Sequence, residues 1–247
     1  MTIKRPIKLP IKLYDLAGAG GRRFSSNCWR SQFVLAHKGL AYETVPTKFT
    51  EISVVCGGGH KTIPVIEDGA TQVCDSWAIA NYLEESYPDR PSVFGDGASG
   101  GAPGDARGFS LFLQHWGMRN ISFPLLHIII KDIYDRLDEA DQPYFRETRE
   151  KRFGKTLEEL VENRDETVLQ FRGNLNPLRT VLADQSYLSG AAPLYPDYIV
   201  TAALLWARMM SPVQLLADDD PLNDWFSRML DQFDGLARNS PKEWVGV

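Results

Sequence analysis

The 247-residue sequence predicts two folding units in series, an N-terminal α/β domain and a C-terminal domain made only of helices. Three observations carry this expectation. Strand-like runs are confined to the chain before Ser76. A proline- and glycine-rich stretch, with Pro88, Pro91, Pro103 and the run 95–101, separates the two parts. Beyond it the apolar residues recur only at helical spacing. The expected boundaries are residues 1–88, a linker over 89–108, and a helical domain over 109–247.

The elements follow in order. Residues 7–16 alternate as a strand, with Ile7, Leu9, Ile11 and Leu13 on one side and Asp15 continuing the same alternation. Pro10 delays strand pairing to Ile11 or later, because proline has no N–H for a ladder. Gly18, Gly20 and Gly21 make a turn. Trp29, Phe33, Ala36 and Leu40 then share one helix face, and Gly39 marks its end. Residues 42–49 are rich in β-branched and aromatic residues, as in a strand. The stretch 50–61 reads as a loop around Gly57, Gly58 and Gly59. A short strand over 62–66, a turn at Asp68-Gly69 and a return strand over 72–74 form a hairpin. Ser76, Ala80, Leu83 and Tyr87 share the next helix face. The order is βαβ and then ββα, for which the thioredoxin-like fold is the leading architecture.

In the second domain Phe109, Phe112 and Trp116 share a face, as do Leu157, Leu160 and Val161. Phe171, Leu175, Leu178 and Leu182 form one more. Ile199, Ala202, Ala203, Trp206 and Met210 make a continuous apolar stripe. Leu222, Trp225, Phe226, Met229 and Phe233 make another, with Asp220 and Pro221 before it and Gly235 after it.

Composition sets limits. The chain is 43% hydrophobic and 24% charged, with a formal net charge of −5. No long basic cluster marks a nucleic-acid partner. Cys28, Cys56 and Cys74 are few, odd in number and far apart, which argues against a disulfide framework or zinc site. His37, His60, His115 and His127 lack metal-ligand spacing. The sequence holds no long apolar span and its N-terminus has no signal-peptide pattern, so a cytoplasmic location is expected.

The residues that promise chemistry lie between the first strand and first helix. Ser25 and Ser26 stand at the helix start, where serine most often serves as an N-cap. Backbone N–H groups there also favour anions. Ser25-x-x-Cys28 occupies the position of a dithiol motif, with a hydroxyl in place of the leading thiol. That excludes dithiol redox chemistry and makes Cys28 a small core residue. Ile63-Pro64 opens a strand, and in a thioredoxin-like domain its bond would be cis. The Ile63 backbone would then face outward, ready to pair with an extended peptide. Asp75 and Ser76 start a helix, as caps or as binders of a zwitterion. Gly57 to Thr62 fails the phosphate-loop pattern because His60 precedes Lys61. The stretch Arg146–Arg152 reads as a solvated helix face.

The chain resembles the cytosolic glutathione transferases over nearly its whole length. The resemblance rests on LYDL at 13–16, FSSNCWR at 24–30, AHKGL at 36–40, IPVI at 63–66, DSWAIANYL at 75–83, YPDRP at 87–91 and FDGL at 233–236. Within that superfamily it looks most like the bacterial β-aryl etherases of lignin breakdown and related fungal transferases. The resemblance implies the glutathione transferase fold and glutathione as co-substrate, with no metal. Ser25 is then the thiolate donor, with Ser26 the runner-up and Asn27 beside it. Ile63, Pro64, Asp75, Ser76 and Lys61 would hold the tripeptide, and Trp116 would line a pocket for an apolar aromatic electrophile. A homodimer and a detoxifying or β-ether-cleaving activity are also implied. A general transferase or peroxidase, and a non-catalytic carrier of apolar ligands, are the alternatives. Two departures stand out. Ser26 replaces a proline common in the family. Leu194 replaces the usual capping residue three positions before Asp197, a loss of about 1 kcal/mol that Pro196 offsets in part by fixing φ.

Overall fold

The computed structural model describes residues 10–95 and 106–240. Ile7 and Leu9 of the expected first strand, and residues 96–105 of the expected linker, lie outside them. Strand β1 (Ile11–Leu16), helix α1 (Ser26–His37) and strand β2 (Tyr42–Thr47) form the first unit. Strands β3 (Val65–Asp68) and β4 (Thr71–Cys74) and helix α2 (Ser76–Ser86) form the second. The sheet order is β2-β1-β3-β4. β1 and β2 are parallel with Leu13 opposite Thr44, while Leu13 faces Ile66 in the antiparallel β1–β3 pair. This is the topology that the βαβ-ββα order predicts, and pairing does begin at Ile11.

Local chemistry explains the connections. The β3–β4 turn has Gly69 at φ 63°, a left-handed backbone that suits glycine. Asp68 anchors the hairpin to α2 by accepting from the hydroxyls of Tyr82 (3.0 Å) and Tyr87 (2.6 Å). Residues 49–57, expected as a strand end at Phe49 followed by loop, wind into 3₁₀ turns. Gly18 sits where a Cβ would meet the Arg136 carbonyl oxygen at 2.8 Å. No other residue type fits that approach without a shift.

The helical domain comprises α3 (Ala106–Gly117), α4 (Phe123–Asp135), α5 (Gln142–Phe153), α6 (Leu157–Leu160), α7 (Arg164–Asn174), α8 (Asn176–Asp184), α9 (Tyr195–Met210) and α10 (Leu222–Leu230). Three sequence expectations change here. Phe109 and Phe112 are exposed, and α3 buries Ser110, Leu113 and Gly117 instead. The face from Phe171 to Leu182 is divided between α7 and α8, because Pro177 forces a new helix start. Phe233 leaves the α10 stripe. Its backbone is left-handed, and its ring packs against Phe33, His37 and Tyr198.

Nearly every residue of α9 is buried. Leu194 supplies no side-chain cap, as its identity requires. Asp197 does the work of the start instead, accepting from the backbone N–H groups of Leu194 (3.2 Å), Leu188 (2.7 Å) and Ser189 (3.2 Å) and from Trp225 Nε1 (3.1 Å).

The domains are joined by polar ties as well as apolar packing. Phe33 on α1 stacks on Tyr198 of α9 with centroids 5.2 Å apart. Arg22 donates to the Met209 carbonyl at 2.8 Å. Asp141, fully buried before α5, accepts from the backbone N–H groups of Phe49 (2.8 Å) and Thr50 (3.0 Å) and from the Thr50 hydroxyl (2.9 Å). A carboxylate from the second domain thus caps the 3₁₀ turns of the first.

Candidate active site

A cavity of about 420 Å³ opens between the domains at the start of α1. Its first wall comes from the α/β domain and includes Ser25, Ser26, Asn27, Arg30, Lys61 and Ile63. Its second comes mainly from the helices and includes Phe123, Tyr144, Phe145, Arg149, Phe153 and Trp206.

The start of α1 is held from behind. Ser25 has extended backbone, and its Oγ accepts from the Cys28 N–H at 3.4 Å. Trp29 Nε1 donates to the Arg23 carbonyl at 2.9 Å, fixing the approach to the helix. Ser25 is therefore the N-cap. That role uses a lone pair of its oxygen, and the Ser25 hydroxyl also lies within hydrogen-bond reach of the Cys28 thiol. Ser26 is the first helical residue and also lines the cavity, half-buried, while Asn27 is exposed.

Beneath the helix start lies a buried polar cluster. Cys28 and Asp15 are both fully buried, and Gln32 Nε2 donates to Asp15 Oδ2 at 2.9 Å. Burial pushes the Asp15 carboxyl up to about 7, against the opposing effects of the Cys28 thiol and Arg23. Burial, with the Asp15 charge added, pushes the Cys28 thiol well above its ordinary range. Cys28 is a core residue, as its place inside the helix suggested.

Ile63 and Pro64 are joined by a cis bond. Among the described residues nothing pairs with the backbone N–H or C=O of Ile63. The Pro64 carbonyl accepts from the Asp75 N–H at 3.1 Å, which sets the start of α2 beside this edge. Asp75 caps α2, its Oδ1 accepting from the N–H groups of Trp77 (2.9 Å) and Ala78 (3.0 Å). Oδ2 stays available on an exposed residue. Ser76 is buried, and its carbonyl accepts from the Tyr195 hydroxyl at 3.3 Å.

The structure thus brings Ser25, Ser26, Asn27, Lys61 and Ile63 to one cavity, with Pro64, Asp75 and Ser76 beside it rather than in its lining. Trp116 is not among the lining residues, and the indole there belongs to Trp206 of α9. Arg30 also lines the cavity. It is 3% exposed, its Nε has no partner, and burial lowers its pKa.

Sequence reasoning missed the second wall. The Arg149 guanidinium lies 4.5 Å from the Phe145 centroid and 5.0 Å from that of Phe49, so the charged stretch of α5 is not wholly solvated. Phe145, Arg149 and Phe153 are spaced i, i+4, i+8, a helical face that the surrounding charge conceals.

A family model described as the glutathione S-transferase N-terminal domain matches residues 21–91, and one described as the C-terminal domain matches residues 108–235. The chain belongs to the glutathione S-transferase family. Its glutathione S-transferase fold, a mixed four-stranded α/β domain followed by a helical one, recurs in solved fungal structures. Glutathione transferase GSTFuA3 of Phanerochaete chrysosporium is 27% identical, with TM-score 0.72 over 92% of this chain and 93% of that one. Glutathione S-transferase CsGST63524 of Ceriporiopsis subvermispora, solved in complex with glutathione, has TM-score 0.78 at 24% identity, over 92% of this chain and 97% of that one. A zeta-class glutathione S-transferase of Euphorbia esula is 33% identical over 106 residues, 38% of this chain and 42% of that protein.

Proposed function

We propose that this chain is a glutathione transferase in which Ser25 holds the glutathione sulfur as a thiolate for attack on an aromatic electrophile. The observation that carries the reading is the Ser25 hydroxyl at the cavity's first wall, standing at the N-terminus of α1. A thiol of pKa about 8.5 is mostly protonated at pH 7, and lowering it by about two units requires roughly 2.7 kcal/mol. A hydroxyl bond to an anion supplies about 1.5–3 kcal/mol. The α1 N-terminus adds about 0.3–2 kcal/mol.

The remaining groups suit the rest of the tripeptide. The unpaired Ile63 backbone matches the cysteinyl N–H and C=O. Asp75 Oδ2 matches the α-ammonium, and the start of α2 at Ser76 matches the γ-glutamyl carboxylate. Lys61 matches the glycine carboxylate, and Asn27 stands beside the sulfur. The aromatic second wall takes the electrophile. In the β-aryl ether version the C–S bond forms as the C–O bond breaks, and the aryloxy group leaves as a phenolate. That version rests on the resemblance in FSSNCWR and DSW. A cytoplasmic homodimer completes the proposal, and the exposed Phe109 and Phe112 of α3 support the dimer.

The test is the thiol pKa of bound glutathione, followed by thiolate absorbance against pH in wild type and Ser25→Ala. The expected result is a value near 6.5 that rises by at least one unit in the variant. Equal values would refute the role of Ser25. A full effect in Ser26→Ala alone would transfer it by one residue. Assays with a model β-aryl ether, a chloronitrobenzene and a hydroperoxide separate the three chemistries, and aromatic binding without turnover on any would mark a carrier.

A further inference from the structure

The cavity carries charge of one sign. Arg30, Lys61, Arg149 and Arg152 line it, and among the described residues no Asp or Glu does. Arg30 and Lys61 belong to the wall assigned to glutathione. Arg149 and Arg152 stand opposite, one turn apart on α5, where the electrophile would lie.

These two arginines lack the partners that surface arginines usually find. Arg146, on the same helix, pairs with Glu150 (2.8 Å) and Glu158 (2.9 Å). Glu150 is further engaged by the Leu157 N–H at 3.1 Å. Both of these carboxylates are thus committed to Arg146. Among the described residues no carboxylate pairs with Arg149 or Arg152. Arg149 donates to the Thr148 hydroxyl at 2.7 Å, lies within hydrogen-bond reach of the Tyr144 side chain and rests on the rings of Phe49 and Phe145. Arg152 lies 5.4 Å from the Phe153 centroid. Burial lowers the Arg149 pKa, so its charge is poorly hydrated where it stands.

A poorly hydrated guanidinium among aromatic rings is best satisfied by a planar anion that carries a ring of its own. Tyr144, Phe153 and Trp206 supply ring surfaces, and the Arg149–Arg152 pair supplies the counter-charge. We propose that the acceptor subsite selects aromatic carboxylates, with Arg149 and Arg152 holding the carboxylate and the aromatic wall holding the ring. This rests on the transferase reading for its reaction, but the binding preference is separate from it.

Calorimetry with 2-naphthoate and its neutral analogue 2-naphthalenemethanol tests the preference, with and without saturating glutathione. Wild type should bind the carboxylate at least about tenfold more tightly, and the advantage should shrink as salt rises. Arg149→Gln and Arg152→Gln should each reduce it severalfold, while Arg149→Lys retains part of it. Glutathione affinity should stay the same in all of them. Arg152 is exposed, so its variant remains informative if loss of Arg149 disturbs α5. Equal affinity for both naphthalenes in wild type would overturn the proposal. An advantage unchanged in both glutamine variants would overturn it too. Glutathione alone, titrated in the same series, separates the two ideas. Absence of glutathione binding defeats the transferase reading, whereas a missing carboxylate preference defeats only this one.

Discussion

The two walls of the cavity are built on different principles. The first is anchored at fixed points of the chain: a helix start at Ser25 and a cis bond at Ile63, with a second helix start at Asp75 beside them. The second uses long side chains from α4, α5 and α9, brought together only by packing. Groups of the first kind are placed by the strand or helix that carries them. Groups of the second kind are placed by how helices cross, and their identity can change without altering the fold. The wall that positions a sulfur is therefore fixed, and the wall that chooses its target is adjustable.

The largest expected effect comes from removing the tie that keeps the walls together. Asp141→Ala leaves two backbone N–H groups and the Thr50 hydroxyl without their acceptor, and should cost about 2–4 kcal/mol, read from urea midpoints. A loss below about 1 kcal/mol would mean that Asp141 is not what joins the walls.

Next is the first wall itself. Ser25→Ala should lower kcat/KM for any electrophile by about 10- to 100-fold at neutral pH, with little change in glutathione affinity. Ser25→Thr, which keeps the hydroxyl, should restore most of it. A loss confined to one electrophile would assign Ser25 to the wrong wall.

Trp206→Ala tests the second wall alone. Removing ring surface there should raise KM for an aromatic acceptor by about tenfold, while the glutathione dissociation constant holds. Equal loss for both ligands would erase the distinction between walls.

The last test lies beneath the first wall. The Asp15 carboxyl is pushed up to about 7 in the fold from an ordinary 3.8, so between those values the folded state binds the extra proton. Stability from this group is therefore present at low pH and lost as pH rises from about 4 to 7, by at most about 1.4 kcal/mol per pH unit. Asp15→Asn should flatten that part of the stability curve. Parallel curves for the two proteins would show that Asp15 is already ionised in the fold.

Much of the α/β domain was legible in the sequence because its signals are local. Alternation placed β1, Pro10 delayed its pairing, and Asp68-Gly69 marked the hairpin. The helical faces were visible, but what covers each one was not. Phe109 and Phe112 share a face that stays exposed. Phe233 continued a stripe by spacing, yet the chain turns away before it. Arg149 read as solvated until α5 was seen against Phe49, about a hundred residues earlier in the chain.

By itself the sequence determined the order of elements, the hydroxyl at the start of α1 and the cis-competent Ile63-Pro64 step, because each depends on neighbours a few residues away. Only the tertiary structure decided that Asp141 caps a turn in the other domain, that Trp206 rather than Trp116 faces the cavity, and that two arginines stand there with no carboxylate partner among the described residues. Those facts depend on how helices distant in the chain cross one another, and a pattern repeating every three or four residues says which side of a helix is apolar but not what it will meet.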